Sequence, residues 1–145
     1  MKRKTKKEVE KGDGNEELRA QLVRALADYD NLKKRVERER EEYEEYATAN
    51  FFMRVMPVLD MIEQVQKHLG DSGLAIALSE MADKLKTEGI EAIEPRAGDV
   101  FDTEVMEAVE VRRGKEGSVL ELGLKGWKMG DKILRHAKVV VGRKE

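Results

Sequence analysis

The chain contains no cysteine, which excludes disulfides and thiolate metal sites. Aromatic residues make up 5% of it, so any compact core has few large side chains to draw on. No apolar run approaches the roughly 20 residues needed to cross a bilayer, and the lysine-rich start lacks the apolar run of a signal peptide. No membrane association and a cytoplasmic location are the resulting expectations. Neither sign of charge dominates: 28 basic against 30 acidic residues leave a formal net charge of −2, which gives no global electrostatic case for nucleic acid. Proline is confined to Pro57 and Pro95, and the stretch from Glu16 to Val55 contains neither proline nor glycine.

That uninterrupted stretch carries a regular apolar register: Leu18, Leu22, Ala25, Tyr29, Leu32, Val36, then Tyr43, Tyr46, Asn50 and Met53. Steps of four and three alternate, with Glu39 filling the position between Val36 and Tyr43. This is a heptad seam of about five repeats, too narrow to face a globular core, and it calls for another helix. At about 1.5 Å per residue it makes a rod on the order of 50 Å long, the size of an oligomerisation device. Asn50 at a seam position would fix register at a cost in stability, or mark a frayed position beside the next element. From Lys33 to Glu45 the bases precede the acids at i,i+4, as in Arg35 with Glu39 and Arg40 with Glu44, the less favourable order against the helix dipole. The middle of the rod is therefore its softest part, or simply a solvated helix face.

Composition divides the rest. Residues 1–15 are polar and glycine-containing without apolar period, which predicts a disordered basic tail. Acidic Glu8, Glu10 and Asp13 follow its lysines at once and no stacking aromatics are interleaved, which argues against nucleic acid as a partner. Residues 16–56 form the long coiled-coil helix, which Pro57 ends or kinks. Residues 57–89 form a helical hairpin turning at Gly70 to Gly73 and stopped by Gly89. The apolar face from Phe51 to Leu69 is wider than the seam and suits a four-helix bundle closed by two copies of the hairpin.

In residues 90–145 the period changes to that of strands, seen in the runs VEVRR, SVLELGL and AKVVVG, with Arg113 to Gly117 read as a hairpin turn. Trp127 and Phe101 are expected to supply much of the buried area of this β-rich domain. The fold class is thus α+β: a long N-terminal coiled-coil helix, a short two-helix hairpin forming a four-helix bundle in the dimer, and a small C-terminal β-rich domain.

Residues for catalysis are scarce. The two histidines, His68 and His136, are far apart and have no zinc-ligand spacing. Ser72, Ser79 and Ser118 lie outside any nucleophile-elbow context, and the glycines of GLKGWKMG lack the Lys-Ser or Lys-Thr of a phosphate loop. The carboxylates fall mostly on the solvent face of the rod, away from any enclosed pocket. No enzyme activity, no catalytic or metal-ligating residue, no cofactor and no small-molecule ligand is expected.

The β-rich third carries a longer pattern. FDTEVMEAV from Phe101 to Val109 is followed, after a gap, by GWKMGDKILRHAKVVV from Gly126. Phe101, Asp102, Met106, Ala108, Gly126, Asp131, Leu134, Arg135, Ala137, Val139 and Val141 together resemble the spaced pattern of the GrpE family of nucleotide exchange factors, partners of DnaK-type chaperones. DYDNLKKRVERE at Asp28 to Glu39 and VMPVLDMIEQV at Val55 to Val65 extend the resemblance upstream. Departures are Thr103 where the family usually has Pro, Trp127 where it has Tyr or Phe, and His136 where Pro commonly follows the Arg.

The resemblance implies a parallel homodimer of long helices with a four-helix bundle and paired β-domains. One β-domain and part of the rod would grip the nucleotide-binding domain of the chaperone in an opened form that holds ADP weakly. Its implied chaperone-binding residues are Lys33, Lys34 and Arg35 on the rod, then Gly89, Lys125, Gly126, Trp127, Met129, Val139 and Val141. Dimerisation is assigned to Leu18, Leu22, Tyr29, Leu32 and Val36, with Phe51, Phe52, Leu59 and Ile62 in the bundle. Phe101 and Met106 read as framework of the β-domain. The alternative reading is a coiled-coil dimeric adaptor or scaffold, which explains the seam equally well and leaves the spaced β-domain pattern unexplained.

Overall fold

A computed structural model describes the backbone of residues 6–144 and the side chains of residues 14–144. The element order is α1 (Lys6–Leu69), α2 (Ser72–Thr87), β1 (Ile90–Ile93), β2 (Met106–Arg113), β3 (Val119–Leu124), β4 (Gly126–Met129), β5 (Lys132–Arg135) and β6 (Ala137–Arg143). An α+β architecture is therefore present. The chain divides into two units, residues 1–47 and 48–145.

The first unit is the α1 stretch up to Ala47. Helix begins at Lys6, ahead of the start expected at Glu16, so the expected disordered tail is helical from Lys6 on, while residues 1–5 lie outside the described residues. Lysine and glutamate in 6–11 are good helix formers, and extending a helix already nucleated downstream requires fixing only one residue per bond. Gly12 and Gly14 are carried within it although each costs about 1 kcal/mol relative to alanine. Every described side chain from Gly14 to Ala47 is exposed. Two of the anticipated i,i+4 pairs form on this surface, Arg40 with Glu44 at 2.9 Å and Arg35 with Glu39 at 3.7 Å.

The second unit starts with the remainder of α1. Pro57 lies inside the helix and does not end it, contrary to the expected boundary. The missing proline N–H leaves the Met53 carbonyl without its usual partner, a local loss that burial of Met56 and Leu59 on either side outweighs. The first limb of the hairpin is thus the end of α1. Gly70, at φ 62°, closes that helix by donating its N–H to the Gln66 carbonyl at 2.8 Å. Asp71 then caps α2, its carboxylate accepting from the Leu74 N–H at 2.8 Å.

Two three-stranded sheets follow, in the orders β1-β4-β5 and β2-β6-β3. The first is antiparallel throughout. In the second, β6 runs parallel to β2 and antiparallel to β3, so β2 and β3 are not a hairpin pair and the expected hairpin turn at Arg113 to Gly117 is instead a connection across the end of β6. The reason is apolar content: β6 buries Ala137, Val139 and Val140, and the strand with most to bury takes the centre.

Two cores result. Phe52, Met56 and Leu59 of α1 pack with Ile90 and Trp127, supported by Leu78 and Leu85 of α2. Trp127 and Phe52 meet edge to face with ring centroids 5.0 Å apart. Val119, Ala137 and Val139 form the second core, against which Phe101, Met106 and Val141 pack.

Candidate partner-binding surfaces

Three sets of residues have the exposure or the geometry that recognition or positioning requires, beginning with the seam of α1. Leu18, Leu22, Tyr29, Leu32 and Val36 are between 46% and 65% exposed, on a stretch where Val23 and Leu26 off the seam are equally open at 67% and 58%. Lys33, Lys34 and Arg35 are exposed on the same helix. Further along, Phe51 at 70% and Ile62 at 37% remain open. Phe52 and Leu59, expected in the bundle, are each 3% exposed because they face the chain's own Trp127 and Ile90.

A polar belt then ties α1 to the first sheet. Arg135 makes a two-pronged ion pair with Asp60, at 2.6 and 2.8 Å, and also donates to the Lys125 carbonyl at 2.7 Å. The Lys125 ammonium sits between Glu63 at 2.7 Å and Glu94 at 2.6 Å, and 5.6 Å from the centre of the Trp127 ring. Burial pulls its pKa down, but hydrogen bonds to Glu63 and Glu94, and their charges, outweigh this and leave it raised. Asp60 and Glu63 are three residues apart and so share one face of α1. Sequence reading singled out Lys125 and Arg135 and missed their carboxylate partners, because the two ends of the belt are distant along the chain.

These packings redistribute the residues expected to meet a chaperone. Lys125 is engaged within the chain. Trp127 and Val139, at 2% and 0% exposure, are core, and neither presents a surface. Gly126 is buried where β4 passes β6: a Cβ there would stand 2.5 Å from the Ala137 nitrogen and 2.7 Å from the Arg135 carbonyl oxygen, so close backbone approach accounts for the glycine. Gly89, exposed at φ 79°, stops α2 and accepts from the Gly130 N–H at 3.3 Å. Met129 and Val141 are half-buried and retain some surface.

The second sheet supplies the last set. Its edge strand β2 leaves Val109 and Val111 exposed at 52% and 58%, and Val100 just before it is 79% exposed. On the opposite face from Val111, Arg112 bridges Glu110 and Glu121 at 2.6 and 2.9 Å. Donating hydrogen bonds to Glu110 and Glu121 raises the arginine's pKa, and accepting from Arg112 lowers that of Glu110. A cavity of about 470 Å³ lies between α1, α2 and the strands, with Leu59, Leu78, Leu122 and Trp127 in its wall. Among the described residues no group of three or more His, Asp or Glu side chains could hold a metal ion, and no helix is long and apolar enough to cross a membrane.

Exposed apolar stripes on a long helix, joined to a small β-unit by a polar belt, define a class of α+β protein built around surfaces suited to protein partners. The GrpE family profile matches residues 1–143, and this chain belongs to that family. Among its relatives, Protein GrpE of Clostridium tetani (strain Massachusetts / E88) is 36% identical over 134 residues, covering 87% of this chain and 66% of that protein. Protein GrpE of Trichodesmium erythraeum (strain IMS101) is 33% identical over 138 residues, covering 87% and 57% respectively. Protein GrpE of Cereibacter sphaeroides is 30% identical over 139 residues, covering 87% and 78%. The chain thus spans under two thirds of the length of the first two relatives.

Proposed function

We propose that this protein is a nucleotide exchange factor and co-chaperone, a homodimer that binds the nucleotide-binding domain of a DnaK-type chaperone and speeds ADP release in the cytoplasm. It would thereby support protein folding and the response to heat shock. The observation that carries this reading is membership of the GrpE family across residues 1–143, which includes the spaced Phe101 to Val141 pattern. Within it, Lys33, Lys34 and Arg35 on α1, and Met129 and Val141 on the β-unit, are the proposed contacts that retain exposure. Leu18, Leu22, Tyr29, Leu32 and Val36, with Phe51 and Ile62, are the proposed dimer contacts.

The mechanism needs no bond to be made or broken. If the protein binds the open, weakly nucleotide-holding conformation of the chaperone better than the closed one, it shifts that equilibrium, and ADP leaves faster. Linkage makes the effect reciprocal: nucleotide must weaken the exchange factor's hold by the same factor, so ATP binding discharges the complex. The test is the release rate of a fluorescent ADP analogue from a DnaK-type chaperone with and without this protein. Acceleration that saturates with protein concentration is expected. No acceleration across several such chaperones would overturn the proposal in favour of the adaptor reading.

A further inference from the structure

Helix α2 carries an apolar stripe that its own chain covers only in part. Leu74, Leu78, Met81 and Leu85 recur in steps of four and three, which puts them on one side of the helix, and yet no residue of α2 is buried. Leu78 and Leu85 are half-buried against the first core, and Met81 stays 38% exposed. Leu78, Met81 and Leu85 instead line the cavity of about 470 Å³, together with Leu59, Leu122 and Trp127. That volume is far larger than a packing void and falls within the range of small-molecule pockets, about 300–1,000 Å³.

Two side chains of the same wall keep a buried polar atom without a partner among the described residues: the Trp127 indole N–H, a donor, and Gln66 Oε1, an acceptor. The Gln66 amide nitrogen donates to the Asp71 carbonyl at 2.7 Å, and because that carbonyl only accepts, it fixes the amide's orientation and leaves the oxygen unmatched. Trp127 is 2% exposed. Unpaired buried polar atoms are rare in a folded chain, and a donor and an acceptor in one cavity wall call for an occupant that answers both. Charge favours neither an anion nor a cation there. The wall's carboxylates, Asp60, Glu63 and Glu94, are matched by Lys67, Lys125 and the Arg135 that Asp60 holds. A second copy of the chain is the wrong occupant, because the open apolar side of α1 faces elsewhere. Leu59, Asp60, Glu63, Gln66 and Lys67 are centred about 140° around the helix from Val58, Met61, Ile62, Val65 and Leu69, so a copy covering the latter stands across α1 from the cavity.

We infer that this cavity is a binding site for a small neutral molecule, mainly apolar, about two or three fused rings in size and carrying a hydroxyl group. A hydroxyl both donates and accepts, so it serves the Gln66 oxygen and the indole N–H, while the leucines and the Trp127 ring take the apolar body. Both polar atoms are closed to solvent, and the ligand reaches them by displacing α2, the wall that buries no residue of its own. The site goes beyond the exchange-factor reading and does not depend on it.

Calorimetry of the full chain with 2-naphthol, and with naphthalene as the same rings without the hydroxyl, tests the site. 2-Naphthol should bind saturably at one molecule per chain, about tenfold more tightly than naphthalene. Gln66→Met, similar in size, and Trp127→Phe should each shrink that preference to about threefold or less and leave naphthalene binding little changed. Ala82→Phe, which sets a ring on the cavity wall from α2, should weaken both ligands at least about tenfold with the thermal midpoint retained. Absence of saturable 2-naphthol binding below about 1 mM overturns the site. So does binding that Ala82→Phe leaves unchanged, since the rings would then lie on the exposed faces of α1. A hydroxyl preference kept in both polar variants overturns the inference as well, because the unpaired atoms would have no part in recognition. None of these results reads nucleotide release, so failure here leaves the proposed function standing.

Discussion

Replacing Trp127 by phenylalanine and by alanine tests the first core quantitatively. Trp127 is 2% exposed, meets Phe52 edge to face at 5.0 Å and lies under the Lys125 ammonium. Truncation of such a residue to alanine costs about 3–5 kcal/mol, of which the aromatic pair supplies about 0.5–1.5. The indole nitrogen, however, is buried and has no acceptor among the described residues. A buried donor without a partner costs about 1–3 kcal/mol, so its removal in Trp127→Phe offsets a void cost of similar size. Trp127→Phe should therefore stay within about 1 kcal/mol of wild type, and Trp127→Ala should lose about 4. Urea unfolding followed by far-ultraviolet circular dichroism measures both, repeated at tenfold higher protein concentration to separate self-association from folding. A phenylalanine variant as damaged as the alanine one would refute the reasoning, since the N–H would then have to be making a bond worth keeping.

The raised pKa of Lys125 makes a pH prediction of definite sign. A lysine raised in the folded state stabilises fully below its unfolded value of about 10.4 and loses that contribution as pH climbs through the folded value above it, so stability should fall in that alkaline window. Unfolding curves of Glu63→Gln with Glu94→Gln should lack that part of the fall. Gly126→Ala should cost about 3 kcal/mol or more, because the atoms a Cβ would strike are backbone and cannot swing away; a near-neutral urea midpoint would refute the close approach of β4 to β6. On the proposed dimer, Leu22→Lys should shift sedimentation toward monomer while unfolding of the β-unit, read by Trp127 fluorescence, is retained; a dimer of unchanged affinity would remove Leu22 from the proposed interface, and a monomeric wild type would remove the interface itself.

What was legible in the sequence was whatever local pattern dictates. The uninterrupted helix over Glu16 to Val55 forms, Gly70 and Gly89 end their helices, and strands form at MEAVEVRR, VLELGL and AKVVVGR. Tertiary context decided the rest. Pro57 signals a helix end locally, yet flanking burial at Met56 and Leu59 carries α1 through it. The Gly-rich 113–117 segment has hairpin composition, but strand order depends on which strand buries most, and β6 lies far downstream. The β4-β5 hairpin around Gly130 was hidden because each strand is only four residues long. Among the site residues, Gly126, Trp127 and Val139 carried a family pattern without any sign of whether that pattern served core or surface. Burial makes that distinction, and it is set by residues as distant as Phe52.

The stretch of α1 beyond Ala49 shows why the wider apolar face read from sequence was two faces merged. Phe52, Met56 and Leu59 recur at steps of four and three and are buried against Ile90 and Trp127. Phe51, Val58, Met61, Ile62, Val65 and Leu69 are exposed to between 37% and 70%. At ~100° per residue the two groups are centred about 120° apart around the helix. One helix thus carries the chain's own β-unit on one side and leaves a second apolar side open, with Asp60 and Glu63 anchoring the first side by charge. A second copy could cover the open side without displacing Trp127 or breaking the Arg135 pair. Self-association and β-unit stability then become separable quantities, since each draws on a different set of buried side chains.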